Sequence, residues 1–176
     1  MKCISNIKID KRLINNRIAR LARKKQREDI QELFREGAKA EKVIFEKLKN
    51  NIPENSLQSI IDNNITDKYS TMDFTYYIDK LPVTDIEHKY RIKYKHDYFY
   101  NGLMYGKNKF EYGIKRLKQG VTHKVYWTCS DGIYFWELYD LEVQKDEYSF
   151  GPNCNKNINQ DKKDMVYVKC NYLQKM

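Results

Sequence analysis

The chain has 176 residues, of which 41% are hydrophobic and 32% charged, so it is long and apolar enough to bury one core. With only 7 Gly and 3 Pro, it cannot be a collagen-like or proline-rich chain, and long low-complexity linkers are excluded. The formal net charge of +9 favours an anionic partner such as nucleic acid. Codon usage that enriches Lys, Asn, Ile and Tyr produces the same excess, so charge alone does not identify the partner.

The cysteines and the N-terminus predict the cellular compartment. Cys3, Cys129, Cys154 and Cys170 form no CxxC pair and have no companion histidine spacing, which predicts reduced thiols rather than a zinc site. The N-terminal stretch lacks the apolar run of a signal peptide, and no window reaches the length of a transmembrane helix. We therefore expect a soluble intracellular protein of the cytoplasm or nucleus, without a membrane partner.

The first predicted element is a helix from about residue 10 to residue 34, interrupted by the charged run Arg-Lys-Lys-Gln-Arg at 23–27. Its basic face could contact phosphates, but a solvated helix or a helix that docks a partner protein is an equally good interpretation. We assign residues 1–36 to an N-terminal basic helical extension and residues 37–176 to a single α/β domain.

Gly37 is expected to separate this helix from a second one that ends near Asn50. In the second helix Glu41 shares one face with three apolar residues, so a carboxylate lies in an apolar stripe. Burying an unpaired charge is expensive. Glu41 therefore either lies at the edge of the stripe, with its carboxylate in water, or faces a polar pocket or a metal.

Two strands are predicted next, at residues 69–78 and 83–92. If Ile78 pairs with Val83, Asp73 lies opposite His88, and Glu87 and Lys89 are its neighbours in the ladder. A one-residue slip would send Asp73 to the other face of the sheet. Three further carboxylates compete for the same role in other registers, namely Asp67, Asp79 and Asp85.

The rest of the chain alternates again between helix and strand. A helix is predicted at 108–118, then a hairpin of strands 124–129 and 133–138 around Ser130-Asp131-Gly132, and a last strand at 165–170. The order helix, helix, strand, strand, helix, strand, strand, loop, strand predicts an α/β fold.

Two carboxylates and one ammonium that converge on a hairpin are suited to phosphodiester hydrolysis. Carboxylate oxygens are the ligands that Mg²⁺ prefers, and the bound ion neutralises phosphate charge and lowers the pKa of a water molecule. A nearby lysine can orient or deprotonate that water. The residues that would supply these groups are Asp73, Glu87 and Lys89.

Asp73, thirteen intervening residues and Glu87-His88-Lys89 together resemble the D…ExK signature of the PD-(D/E)xK nuclease superfamily. The resemblance covers about residues 37–138, although Met72 stands where many members have a proline. It implies a restriction-endonuclease-like fold, with a mixed central β-sheet flanked by helices, and a deoxyribonuclease that depends on Mg²⁺ or Mn²⁺.

The resemblance also implies residue roles. Asp73, Glu87 and the backbone carbonyl of His88 would bind the metal, Lys89 would act on the attacking water, and Glu41 would bind directly or through water. Basic side chains of the following helix often approach the substrate in this superfamily. The candidates are Lys109, Lys115 and Arg116, with Lys109 first.

Three functional hypotheses follow. The first is a nuclease that acts on DNA in repair, recombination or processing, and that forms a homodimer as many members do. The second is a basic nucleic-acid-binding protein without catalysis. The third is an interaction protein that docks through its N-terminal helix.

Overall fold

The structure is a computed structural model that describes residues 11–67, 70–152 and 164–176. Internal contacts divide the chain into two units, residues 1–39 and residues 40–176. This division falls within the first helix, α1 (Lys11–Asn50). The boundary predicted from the sequence lies nearby, after residue 36.

The first helix is continuous, so the predicted break at Gly37 is wrong. A single glycine in a helix interior costs only about 1 kcal/mol relative to alanine, and the residues around Gly37 are good helix formers such as Ala38, Lys39 and Ala40. The propensity of the flanking residues therefore outweighs the one unfavourable position.

The described part of residues 40–176 also contains two β-sheets, two further α-helices and a 3₁₀ turn. In chain order the described strands are β1 Gln58–Asp62, β2 Phe74–Ile78, β3 Leu81–Arg91, β4 Leu103–Gly106, β5 Thr122–Cys129, β6 Gly132–Leu138, β7 Tyr148–Pro152, β8 Asp164–Val168 and β9 Gln174–Lys175. The helices are α2 Asn63–Thr66, α3 Lys107–Leu117 and a 3₁₀ turn, Cys170–Tyr172. The larger sheet has the strand order β1-β2-β3-β5-β6-β9 and the smaller one β4-β8-β7.

A two-residue turn joins β2 to β3. Asp79 and Lys80 have φ angles of 49° and 63°, and positive φ at both central positions is typical of tight hairpin turns. Ile78 therefore pairs with Leu81. The predicted pairing of Ile78 with Val83 is wrong, because the turn contains two residues rather than four.

The register of this hairpin decides which side chains face each other. A bulge within the hairpin shifts the pairing, and Phe74 then lies opposite Ile86. Asp73 precedes β2 and departs from this register, because its backbone N–H donates to the carbonyl of Ile86 at 3.0 Å; the predicted pairing of Asp73 with His88 is therefore wrong. The carboxylate of Asp73 nevertheless reaches β3, where it accepts a hydrogen bond from the backbone N–H of His88, the residue after Glu87.

The larger sheet is mixed because β3 and β5 are parallel, whereas its other strand pairs are antiparallel. A parallel pair needs a long crossover connection, which here contains β4 and α3. The crossover places α3 against β5. The predicted α/β class with a mixed central sheet is thereby confirmed.

Each face of the larger sheet carries its own cluster of apolar side chains. One cluster includes residues of β4, α3, β5, β6 and β8, among them Leu103, Phe110, Val125, Trp127, Trp136 and Val166. The other joins α1 to the opposite face through Ile44, Phe74, Ile86 and Tyr126.

The sequence pattern missed several short strands. Neither β1 nor β4 was predicted, since they are five and four residues long, and β7 contains Gly151 and Pro152, which favour a loop assignment. The strand predicted from residue 69 begins only at Phe74, and residues 68 and 69 lie outside the described part.

Two further observations bear on the expectations about compartment. None of the described helices combines the length and apolar character that crossing a membrane requires. Cys129 and Cys170 are free thiols, while Cys3 and Cys154 lie outside the described residues.

Gly113 lies where α3 packs tightly against β5. A Cβ atom there would lie 2.7 Å from Cγ of His123, so we expect Gly113→Ala to lower the free energy of unfolding by about 2 kcal/mol. Helix propensity alone would raise it by about 1 kcal/mol. Urea unfolding followed by tryptophan fluorescence measures the change. Gly37→Ala in α1 is the control and should not destabilise; an unchanged stability of Gly113→Ala would contradict the close approach.

Candidate active site

Glu87 is the centre of the candidate site. It points from β3 into the protein with only 1% of its surface exposed. Lys89, two residues along the same strand, donates a hydrogen bond to Oε1 of Glu87. Nζ of Lys109 on α3 lies 3.0 Å from Oε2 and also donates to the backbone carbonyl of Thr71. A buried carboxylate of this kind needs such partners, because leaving it uncompensated costs several kcal/mol.

Asp73 lies directly beside this ion pair. Its backbone N–H donates to the carbonyl of Ile86 at 3.0 Å, and its carboxylate Oδ2 accepts a hydrogen bond from the backbone N–H of His88 at 2.7 Å. Burial raises the pKa of Asp73, and the negative charge of Glu87 raises it further; the His88 N–H bond and the charge of Lys89 act in the opposite direction. Asp73 is therefore a buried carboxylate beside a second one, with the lysines of the ion pair offsetting part of the repulsion.

Glu41 adds a third carboxylate from α1. Nδ2 of Asn64 donates to Oε1 of Glu41 at 2.9 Å, and Asn64 is held in turn by its backbone N–H bond to the Asp62 carboxylate. Burial and then the charges of Asp73, Asp62 and Glu87 raise the pKa of Glu41 to about 7. Glu41 is half-buried, so its carboxylate lies at the edge of the apolar stripe and contacts polar groups there.

The three carboxylates suit a divalent cation in chemistry and in charge. They outnumber the two lysines, and two of them have raised pKa values, so a divalent cation would relieve the excess negative charge. Oε2 of Glu87 is buried and accepts no hydrogen bond from the described residues, although Lys109 is close by. Both Glu87 oxygens nevertheless face lysines, and the ligand atoms of the three carboxylates do not all lie within 4.8 Å of one another. A metal would therefore bind together with a rearrangement of Lys109.

The three predicted substrate-binding residues occupy different places. Lys109 lies in the site itself. Nε of Arg116 is instead 2.7 Å from the carboxylate of Asp85, a buried residue of β3 that also accepts a hydrogen bond from Thr75 at 2.9 Å. Lys115 is exposed on α3. The partners of Asp85 also explain why this competing carboxylate is not available as a ligand.

Tyr105 and Asn64 are neighbours of the site that sequence reasoning missed. Tyr105 is fully buried, its hydroxyl has no hydrogen-bond partner among the described residues, and burial followed by the charge of Glu87 raises its pKa well above the usual range. Its position in a short apolar strand gave no signal of a polar role. For Asn64 the one available signal was Asp62, two residues earlier, because an Asp at this spacing can bond to the backbone N–H and hold a turn.

A second group of potential metal ligands lies elsewhere. His96, Asp97 and Asp131 have ligand atoms within 4.8 Å of one another, and they are the one group of three that meets this distance among the described residues. Asp131 accepts hydrogen bonds from the ring and the backbone of His96, and the ring of His96 stacks on Tyr134. These contacts account for the geometry of the group without an ion.

Comparison of the chain with protein-family models, with curated proteins and with solved structures found no match.

His123 of β5 provides a test of the buried environment next to α3. It is fully buried, and burial lowers its pKa from 6.5 to about 4, so between these values the unfolded chain binds a proton that the folded chain does not. Stability from this residue is therefore present above pH 6.5 and is lost as the pH falls toward about 4, by up to about 1.4 kcal/mol per pH unit. We expect the free energy of unfolding of His123→Gln to fall less steeply with decreasing pH over this window than that of the wild type.

Urea unfolding of both proteins at several pH values measures the two slopes. Comparing slopes separates this effect from any uniform destabilisation that the substitution causes. Parallel slopes would contradict a buried, neutral His123.

Proposed function

We propose that the chain is a Mg²⁺-dependent nuclease that hydrolyses phosphodiester bonds in DNA. One observation carries the proposal: the carboxylate of Asp73 accepts a hydrogen bond from the backbone N–H of His88, between Glu87 and Lys89, and the charges of Asp73 and Glu87 act on each other and on Glu41. Lys89 in turn bonds to Glu87. This is the arrangement that the D…ExK resemblance implies.

The order of the elements supports a restriction-endonuclease-like fold. A helix that carries Glu41 precedes three antiparallel strands, then a helix, and then β5, which lies parallel to the strand with Glu87 and Lys89. The sequence resemblance implies the same series of helix, motif-bearing hairpin, helix and further strands. Chance recurrence of a D…ExK string in a highly charged chain would not require its residues to meet in space.

In the proposed reaction a water oxygen attacks phosphorus and the bond to the leaving oxygen breaks, its electron pair staying on that oxygen. The attacking water loses a proton to solvent, and the leaving oxygen takes one up from solvent. Bound Mg²⁺ would supply charge neutralisation at the phosphate and a lowered pKa of the attacking water. Asp73, Glu87 and Glu41 would hold the ion, with the carbonyl of His88. Two contacts orient the carboxylates beforehand: the His88 N–H holds Asp73, and Asn64 holds Glu41.

Lys89, which lies beside Glu87, can donate hydrogen bonds to the attacking water. Its ammonium has three N–H donors, of which one bonds to Glu87, so the others can orient the water or stabilise developing charge. Lys109 would have a different role. It balances Glu87 when no metal is bound and would turn to a substrate phosphate when the ion replaces it.

A nucleic-acid-binding protein without catalysis is the second candidate. The observation that favours it is that lysines face both oxygens of Glu87, so this buried carboxylate is compensated even without a metal. Such a protein would bind DNA in the presence of EDTA and would never cut it.

Lys89→Ala and Asp73→Asn test the proposed function. We expect each to lower the cleavage rate of labelled DNA about 10²–10⁴-fold, because the first removes the group that acts on water and the second removes a metal ligand. Cleavage of single-stranded, duplex and branched DNA is followed with Mg²⁺, Mn²⁺ or EDTA.

Lys93→Ala, at an exposed lysine just after β3, is the matched control and should retain full activity. Cleavage that persists in EDTA or in Lys89→Ala would refute the assigned roles, and the absence of cleavage with every metal and substrate would favour the second candidate.

Lys109→Met tests the exchange of lysine for metal. Removal of the positive charge beside Oε2 of Glu87 should tighten Mn²⁺ binding about tenfold without DNA, because metal and ammonium compete for the same oxygen. Calorimetric titration with Mn²⁺ measures the affinity, and the gain in thermal unfolding midpoint on adding metal should increase as well. Lys115→Met, on the exposed side of α3, should bind Mn²⁺ like the wild type. Unchanged or weaker binding by Lys109→Met would contradict the exchange.

A further inference from the structure

The positive charge of the chain is concentrated in the first unit. Residues 1–39 contain 12 Lys and Arg and 5 Asp and Glu, a net charge of +7 out of the total of +9. Residues 40–176 contain 21 Lys and Arg and 19 Asp and Glu, a net charge of +2. The unit with the candidate active site therefore has little overall attraction for a polyanion, and its three carboxylates repel a phosphate when no metal is bound.

Within the first unit the charge follows one stretch of helix. Between Lys11 and Arg27 eight residues are Lys or Arg and none is Asp or Glu, and all of them belong to α1. The side chains that the structure describes in this stretch, from residue 19 onward, are all exposed. Nothing in the described residues buries this charge.

Four of the exposed basic residues share one side of the helix. At 3.6 residues per turn, their positions fall within an arc of about 100°. One of them makes a contact of 3.8 Å to Glu28, between two exposed side chains, which is worth little in water. The four residues, called the basic arc below, are Arg20, Arg23, Lys24 and Arg27.

We propose that the basic arc binds the phosphate backbone of DNA and supplies most of the DNA affinity of the protein. The inference rests on the proposed function only for the choice of substrate. Arginine and lysine gain affinity from phosphates by releasing counterions, without reading sequence. An exposed arc of four such residues without acidic neighbours before Glu28 is complementary to a polyanion.

Around the basic arc the helix has little large apolar surface to bury in a membrane. Interfacial helices bury a face of large apolar residues such as Leu, Phe and Trp opposite their basic face. Between residues 19 and 29 the one large apolar residue is Leu21. Ala19, Ala22 and Gln26 would contribute little to insertion into lipid.

The test compares two full-length variants with the same loss of charge. In the arc variant all four basic-arc residues are changed to glutamine, which keeps helix propensity. In the control variant four exposed lysines of the second unit are changed to glutamine, namely Lys42, Lys47, Lys49 and Lys145. Circular dichroism checks that both variants remain as helical as the wild type.

Binding of fluorescein-labelled duplex and single-stranded DNA is measured by anisotropy in EDTA over a range of salt concentrations. Each lost phosphate contact lowers the slope of log Kd against log salt by about 0.9. The slope of the arc variant should therefore be lower by about 3 to 4, and its DNA binding at low salt should be more than tenfold weaker. The control variant should keep most of the wild-type slope.

Equal effects of the two variants, or an arc variant with wild-type affinity, would overturn the proposal. So would binding to vesicles of phosphatidylcholine and phosphatidylserine that depends on the arc while DNA affinity does not. The measurement needs no cleavage. Binding through the arc in a protein that never cuts would refute the nuclease and sustain this inference, whereas cutting with arc-independent affinity would do the reverse.

Discussion

The ion pair of Glu87 with Lys89 and Lys109 is the constraint on which the unit of residues 40–176 depends. A carboxylate with 1% exposure is stable as an anion only if positive groups reach it. Lys89 comes from the same strand, but Lys109 must come from α3. The helix can deliver it only because the crossover between two parallel strands brings α3 across this face of the sheet.

The same constraint explains why the packing of α3 is tight. Gly113 leaves room for the ring of His123, and this lets α3 lie close to β5 with Lys109 near its first turn. Arg116, two turns further along, fixes Asp85 on the neighbouring position of the same sheet face. Two ion pairs therefore tie α3 to β3, and both involve carboxylates that burial would otherwise destabilise.

Parts of this arrangement follow from the sequence. The hairpin of β5 and β6 was predicted because Ser130-Asp131-Gly132 stands between two aromatic, β-branched segments, and α3 was predicted from a charged helical stretch before Gly120. Asp73, Glu87 and Lys89 were chosen as a triad by spacing and by resemblance, and Glu41 by its place in an apolar stripe.

Other parts could not be read from the sequence, for physical reasons. The register of β2 against β3 is set by a two-residue turn and a bulge. The alternation of the residues is compatible with several registers and does not select this one. Gly37 disfavours helix locally, but the helix propensity of its neighbours is stronger. The buried hydroxyl of Tyr105 and the contact between Asn64 and Glu41 depend on tertiary packing, which the sequence pattern does not contain.

The parallel pairing of β3 with β5 also has a consequence for the order of folding. The hairpin of β2 and β3 joins residues that are close along the chain, so it can form early, with Asp73 already bonded to the backbone N–H of His88 on β3. Pairing of Glu87 with Val125 closes a much longer loop, and closure of long loops is entropically slow. A chain emerging from the ribosome would thus carry its acidic cluster for some time before Lys109 is held against it, with Lys89 of the same strand as the counter-charge of Glu87 until then.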